Sequence, residues 1–127
     1  MTLEQRIIFA KLIVSLSRDD RDEIIRIYTE DMGYQTKSNN PDLVYRHACF
    51  WCDRDTDDIT LGKNMHLFLE WLQQQDPVIQ LPEDYLMASR VTLMMRGMAK
   101  AFGLELKVSE IWKETAQKFL LYQGIEY

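Results

Sequence analysis

The chain has 127 residues, of which 46% are hydrophobic and 28% charged, and a net charge of -5. That length points to one domain, 1-127, burying roughly two-thirds of its unfolded surface and needing no covalent staple. The acidic balance argues against a nucleic-acid backbone binder, which needs clustered Lys and Arg, and nearly uncharged stretches such as Tyr85 to Met95, interrupted by Arg90, are too short to cross a bilayer.

Thr2-x-x-Gln5 is a capping-box pattern, in which hydroxyl and amide each satisfy a main-chain N–H of the first turn. Behind it Leu3, Ile7, Ala10 and Val14 recur at helical spacing, widened by Ile8, Leu12 and Ile13. Asp19 and Asp20 stop this helix, and Asp20-x-x-Glu23 starts the next, whose inner face is Ile24, Ile27 and Tyr28 and whose end is Gly33. Ser38-Asn39-Asn40-Pro41 reads as a loop, a cap and a first-turn proline opening a third helix with Val44, Tyr45, Ala48 and Trp51.

Asp53 to Lys63 is acidic, lacks apolar periodicity and is expected to be the least structured stretch. Met65 to Gln75 reads as a fourth helix broken by Asp76-Pro77. Leu81-Pro82-Glu83 opens the longest segment, which runs to Phe102 with Gly103 as its cap. On a helical wheel Met87, Val91, Met94, Met98 and Phe102 align, and the polar strip Tyr85, Ser89, Thr92, Arg96 and Lys100 is narrow. A helix apolar over so wide an arc is expected to be central, with its Met stripe in the core. A last helix capped by Ser109 turns Val108, Ile111, Trp112, Ala116, Phe119 and Leu120 inward. No repeat or convincing strand interrupts the pattern, so the fold class is all-α, with about six helices.

Cys49-x-x-Cys52 invites a redox or zinc reading, with His47 and the distant His66 as further ligands. A redox pair needs its thiolate at a helix N-terminus, where the dipole lowers the pKa. These sulfurs fall at a helix end, and the ligand order matches no standard zinc spacing. Buried cysteines are the expectation. Asp53-x-Asp55-x-Asp57 resembles the opening of a calcium loop, but Asp58 stands where the turn needs Gly and Asn64 where a bidentate Glu should close it. A solvated acidic loop is expected instead. The methionines Met87, Met94, Met95 and Met98 suit either core packing or an adaptable binding surface, and the wide apolar arc favours the core. Arg90, beside that arc, calls for a carboxylate or carbonyl partner, and Gly97 for the close approach of another backbone. With no Gly-rich loop before a helix, no Ser with nearby His and Asp, and no paired acids on an apolar face, the sequence assigns no catalytic, cofactor-binding or metal residue.

From Leu3 to Leu120 the chain resembles the C-terminal helical part of the aarF-domain, UbiB-type family of atypical kinase-like proteins. The likeness is carried by Leu3-x-Gln5-Arg6 with Ala10-Lys11-Leu12-Ile13, by Met32-Gly33-x-x-Thr36, and above all by Leu81-Pro82-Glu83-Asp84, Arg90 and Met94-Met95-Arg96-Gly97. Gly103, Val108, Trp112 and Ala116 complete it, and Met94 and Met95 depart from the family's leucines. The resemblance implies ATP- and Mg-dependent chemistry, connected with ubiquinone and lipid metabolism and often mitochondrial, for a longer parent. The family's nucleotide loop, catalytic loop and metal-binding Asp-Gly turn find no counterpart here, so the chain itself is expected neither to bind ATP nor to transfer phosphate.

The expected role is therefore a non-catalytic helical segment of such a protein; the alternatives are a stand-alone interaction module and, third, a small metal-binding protein using His47, Cys49 and Cys52. Six short helices should cover the long one incompletely, leaving an exposed apolar patch where the missing kinase-like lobe or another partner packs. Without a basic leader and apolar run from Met1 onward, and with two cysteines, an intracellular location is expected.

Overall fold

The computed structural model describes residues 2–127, so Met1 and the part of the leader reading that rests on it lie outside the description. Helices dominate: α1 (Leu3–Arg18), α2 (Arg21–Arg26) continued by a wider π turn (Ile27–Asp31), α3 (Pro41–Cys52), a single turn α4 (Asp57–Thr60), α5 (Met65–Gln75), α6 (Leu86–Ala101) and α7 (Val108–Tyr122). Two very short strands, β1 (Gln35–Thr36) and β2 (Val78–Gln80), pair antiparallel with an irregular register. The all-α reading holds, with this small ribbon as the exception.

Helix starts written in local sequence form as expected. The Thr2 amide donates to Gln5 Oε1 at 2.8 Å and the Gln5 amide to Thr2 Oγ1 at 3.2 Å, closing the capping box. Asn40 accepts from the Asp42 amide with Pro41 in the first turn. A further cap, not singled out in the sequence, is Asn64, which accepts from the Leu67 amide to open α5. Gly33, at φ +88°, takes the left-handed conformation that only glycine adopts without strain.

The core closes around α1. Leu12, Val14 and Leu16 are fully buried against Ile24 and Ile27 from the second helix and Val44, Ala48 and Cys49 from α3. Each such aliphatic side chain contributes about 1.5–3 kcal/mol on burial. The central helix is thus α1, not the Met-rich segment. At the ribbon, Asp76 holds the loop before α3: it accepts from the Thr36 hydroxyl and from the Ser38 and Asn40 amides, at 2.5, 2.7 and 3.1 Å. These bonds keep its carboxyl below the usual range against the opposing effect of burial.

Three expectations fail from Asp53 onward. Asp53 to Lys63 is not the loosest stretch: it contains α4, and Asp53, Arg54, Ile59 and Thr60 are buried. Ser109 does not cap α7, whose N-cap residue is Lys107. The cap comes from Asp53, whose Oδ1 accepts from the Ser109 amide at 2.8 Å and whose main-chain carbonyl accepts from Val108 at 3.2 Å. A buried aspartate from the acidic stretch therefore replaces the local serine. Ile111, placed inward on the wheel, is also exposed.

Candidate functional site

Helix α6 is mounted the other way round from its wheel. Ser89, Thr92 and Arg96 of its polar strip face inward, Lys100 stays exposed, and its methionine face points to solvent. Buried on it are Ser89, Thr92, Arg96 and Ala99. The reason lies in α3, whose last turn ends inside the protein with unpaired carbonyls. Thr92 Oγ1 donates to the Trp51 carbonyl, and Arg96 Nη2 donates to that of Phe50. Arg96 Nε adds a bond to the Thr92 carbonyl of its own helix at 3.3 Å, and Ser89 Oγ lies 3.7 Å from Cys52 Sγ. The guanidinium, 2% exposed, sits where α3 carries its negative dipole end. Burial lowers its pKa, opposed by the charge of Asp55 and Asp53.

With that strip turned in, Met87, Met94, Met98 and Phe102 are 73%, 67%, 64% and 80% exposed. Val91 between them and Leu104 beyond the helix end are exposed as well. The expected patch exists, but the placement of the Met stripe in the core is overturned; only Met95 among those methionines is half-buried. Arg90 is solvent-exposed rather than tucked beside a partner. Gly97 is exposed with nothing within 4 Å of where a Cβ would stand, so no described backbone approaches it. The outer face is a continuous apolar row with a glycine notch.

The cysteine constellation is a packed cluster. Cys49 and Cys52 are free and fully buried in the last turns of α3. Burial pushes their thiols up to about 12 and about 11, the reverse of a reactive thiolate. His47 Nδ1 lies 2.8 Å from the Tyr28 hydroxyl and its ring stacks on Tyr34 with centroids 4.3 Å apart. Burial drives this imidazole down to about 3. His66, by contrast, is on the surface near Glu70. Among the described residues no three His, Cys, Asp or Glu groups converge as a metal site.

The acidic stretch disperses its carboxylates to internal partners. Asp53 accepts from Arg54 Nη1 on Oδ2 at 2.8 Å while Oδ1 caps α7. Arg54 also donates to the Tyr45 hydroxyl at 3.1 Å, and that hydroxyl bonds Asp19. Asp55 pairs with Lys100 at 2.7 Å, tying the stretch to α6, and Asp58 takes the Thr56 hydroxyl and lies 3.6 Å from Arg54. Neither the inward role of Arg96 nor that of Asp53 was visible in sequence, because each acts on main-chain groups distant along the chain. The polar strip on the wheel was the signal present for Arg96.

Among the described residues no helix is long and apolar enough to cross a membrane. Comparison with known protein families, with curated proteins and with solved structures found no match to this chain.

Proposed function

We propose that this chain is the non-catalytic helical segment of an aarF/UbiB-type kinase-like protein, and that the outer face of α6 is the scaffold surface on which the lobe with the phosphate-handling groups packs. The observation that carries the reading is that face itself: Met87, Val91, Met94, Met98 and Phe102 stand in solvent while Ser89, Thr92 and Arg96 of the same helix are buried. Covering these side chains would remove apolar surface from water and so favour docking. The open notch at Gly97 suits the close approach of a second backbone. The order of Leu81-Pro82-Glu83-Asp84, Arg90 and Met94-Met95-Arg96-Gly97 supports the same assignment.

This reading assigns no ATP or Mg ligand to the chain itself, because its sequence has no glycine-rich loop opening a helix. On this reading nucleotide and metal belong to the longer parent, and its location is intracellular, mitochondrial by the resemblance.

A second reading, a stand-alone helical interaction module, is favoured by the closed core around α1. Mapping the transcript and reading it in frame upstream of Met1 separates the two. An Asp-x-Gly-Gln turn preceded by a nucleotide loop is the expected finding; an in-frame stop behind a promoter would leave the module. In a thermal melt the isolated 127-residue product is expected to show no shift with Mg-ATP, and a nucleotide-dependent rise in Tm would overturn the assignment. For the third reading, metal binding through His47, Cys49 and Cys52, elemental analysis of the purified protein is expected to find no stoichiometric zinc.

A further inference from the structure

Away from α6, the surface between α1 and α7 sinks into a groove of about 330 Å³. Its origin is a pair of small residues. Ala10 on α1 and Ala116 on α7 are both buried and both line the groove, so the facing helices lack bulk there. Large side chains stand on either side, Phe9 and Ile13 from α1 and Trp112 and Phe119 from α7. The result is a slot with aromatic walls and an alanine floor. The groove is open to solvent, and its lining is almost wholly apolar, so covering it removes apolar surface from water. The volume lies at the lower end of the range for small-molecule sites, roughly 300–1,000 Å³.

The lining polar groups have a single charge sign. Arg6 is exposed at the rim, and among the described residues its guanidinium makes no hydrogen bond and no ion pair. Thr115 adds a hydroxyl, and among the described residues no carboxylate lines the groove. In a chain of net charge -5, a free cation beside an apolar slot is a local exception. It complements a ligand with one anionic end and an apolar body. A guanidinium is also well shaped to grip a carboxylate through two parallel N–H bonds.

We propose that the groove between α1 and α7 binds a medium-chain carboxylate, its tail between Trp112 and Phe119 on one side and Phe9 on the other, its head group on Arg6. The site is independent of the α6 surface and of the kinase-like reading. Octanoate and neutral 1-octanol, both below self-association, are the probes, followed by calorimetry and by the amide and indole NMR signals of Trp112. Octanoate is expected to bind saturably, one per chain, about tenfold more tightly than octanol, the ratio expected of one charge-assisted contact. Arg6→Gln, at an exposed position, should bring octanoate to the level of octanol and leave octanol unchanged. Ala116→Leu, which fills the floor, should abolish both; should that variant not fold, the Arg6→Gln comparison decides alone. No saturable binding of octanoate, or a ratio that survives Arg6→Gln, overturns the proposal. A Trp112 signal that moves with protein concentration and is insensitive to octanoate assigns the groove to a second copy and also overturns it.

Discussion

Replacing Arg96 isolates what holds the end of α3, because its guanidinium serves main-chain carbonyls with no carboxylate in contact. Arg96→Met keeps the length of the stem and removes the donors, leaving the buried Phe50 carbonyl without its partner. An orphaned acceptor of this kind costs about 1–3 kcal/mol, and urea denaturation is expected to show a loss of that size. Arg96→Lys, which retains a charged donor, should lose less. His47 makes a second residue-level prediction. The unfolded imidazole titrates at about 6.5, whereas burial holds the folded one at about 3. The unfolded chain thus binds the proton more readily. The contribution of His47 is complete above about pH 6.5 and is lost as pH falls toward 3, at up to about 1.4 kcal/mol per pH unit. Glu23, Asp58 and Asp76 also have lowered pKa values and erode stability in acid. Their effect is common to wild type and His47→Phe, so the difference between the two urea series carries the His47 slope. Parallel series between pH 7 and pH 4.5 would show that the imidazole is not held neutral by burial.

At the scale of the element, α6 shows what periodicity reveals and what it hides. The wheel separates an apolar face from a polar strip, and both exist as drawn. Which face turns inward depends on α3, because the carbonyls of Phe50 and Trp51 need donors that only Arg96 and Thr92 bring. That requirement is invisible within a helix-length window. The same limit hid the cap of α7, supplied by Asp53 across 56 positions, while the caps of α1 and α3 were legible because their partners lie two or three residues apart. The apolar patch was legible as a shortage of cover, though not as this particular face. The orientation predicts opposite mutational responses on the two sides. Met94→Gln should change stability by no more than about 0.5 kcal/mol, as for an exposed site. Thr92→Val, close in volume, should cost about 1 kcal/mol by removing the donor to the Trp51 carbonyl. Thermal melts of the two variants check this. A larger loss for Met94→Gln would mean that the methionine face is packed.

For the molecule as a whole, the uneven distribution of buried apolar surface predicts the order in which it opens. The core around α1, the second helix and α3 is dense in fully buried aliphatic and aromatic side chains, whereas α6 buries only Ser89, Thr92, Arg96 and Ala99. Regions with few apolar contacts open at lower free energy than the global transition. The α6 segment should therefore detach as a unit while the core persists, and the two thiols report on the two events. Cys52 lies under α6, with its sulfur 3.7 Å from Ser89 Oγ, whereas Cys49 faces the Tyr45 and Arg54 side of α3. Under native conditions neither is solvent-exposed, and each reacts only after opening. With excess alkylating reagent and peptide mapping, Cys52 should be modified faster than Cys49, and its rate should rise less steeply with urea because less surface is uncovered. A partner seated on the methionine face would stabilise the closed form and slow Cys52 selectively. Equal rates with equal urea slopes would mean that α6 leaves only when the whole molecule unfolds. The bare outer face would then carry no penalty in local stability, and this helix would gain nothing energetically from a neighbour.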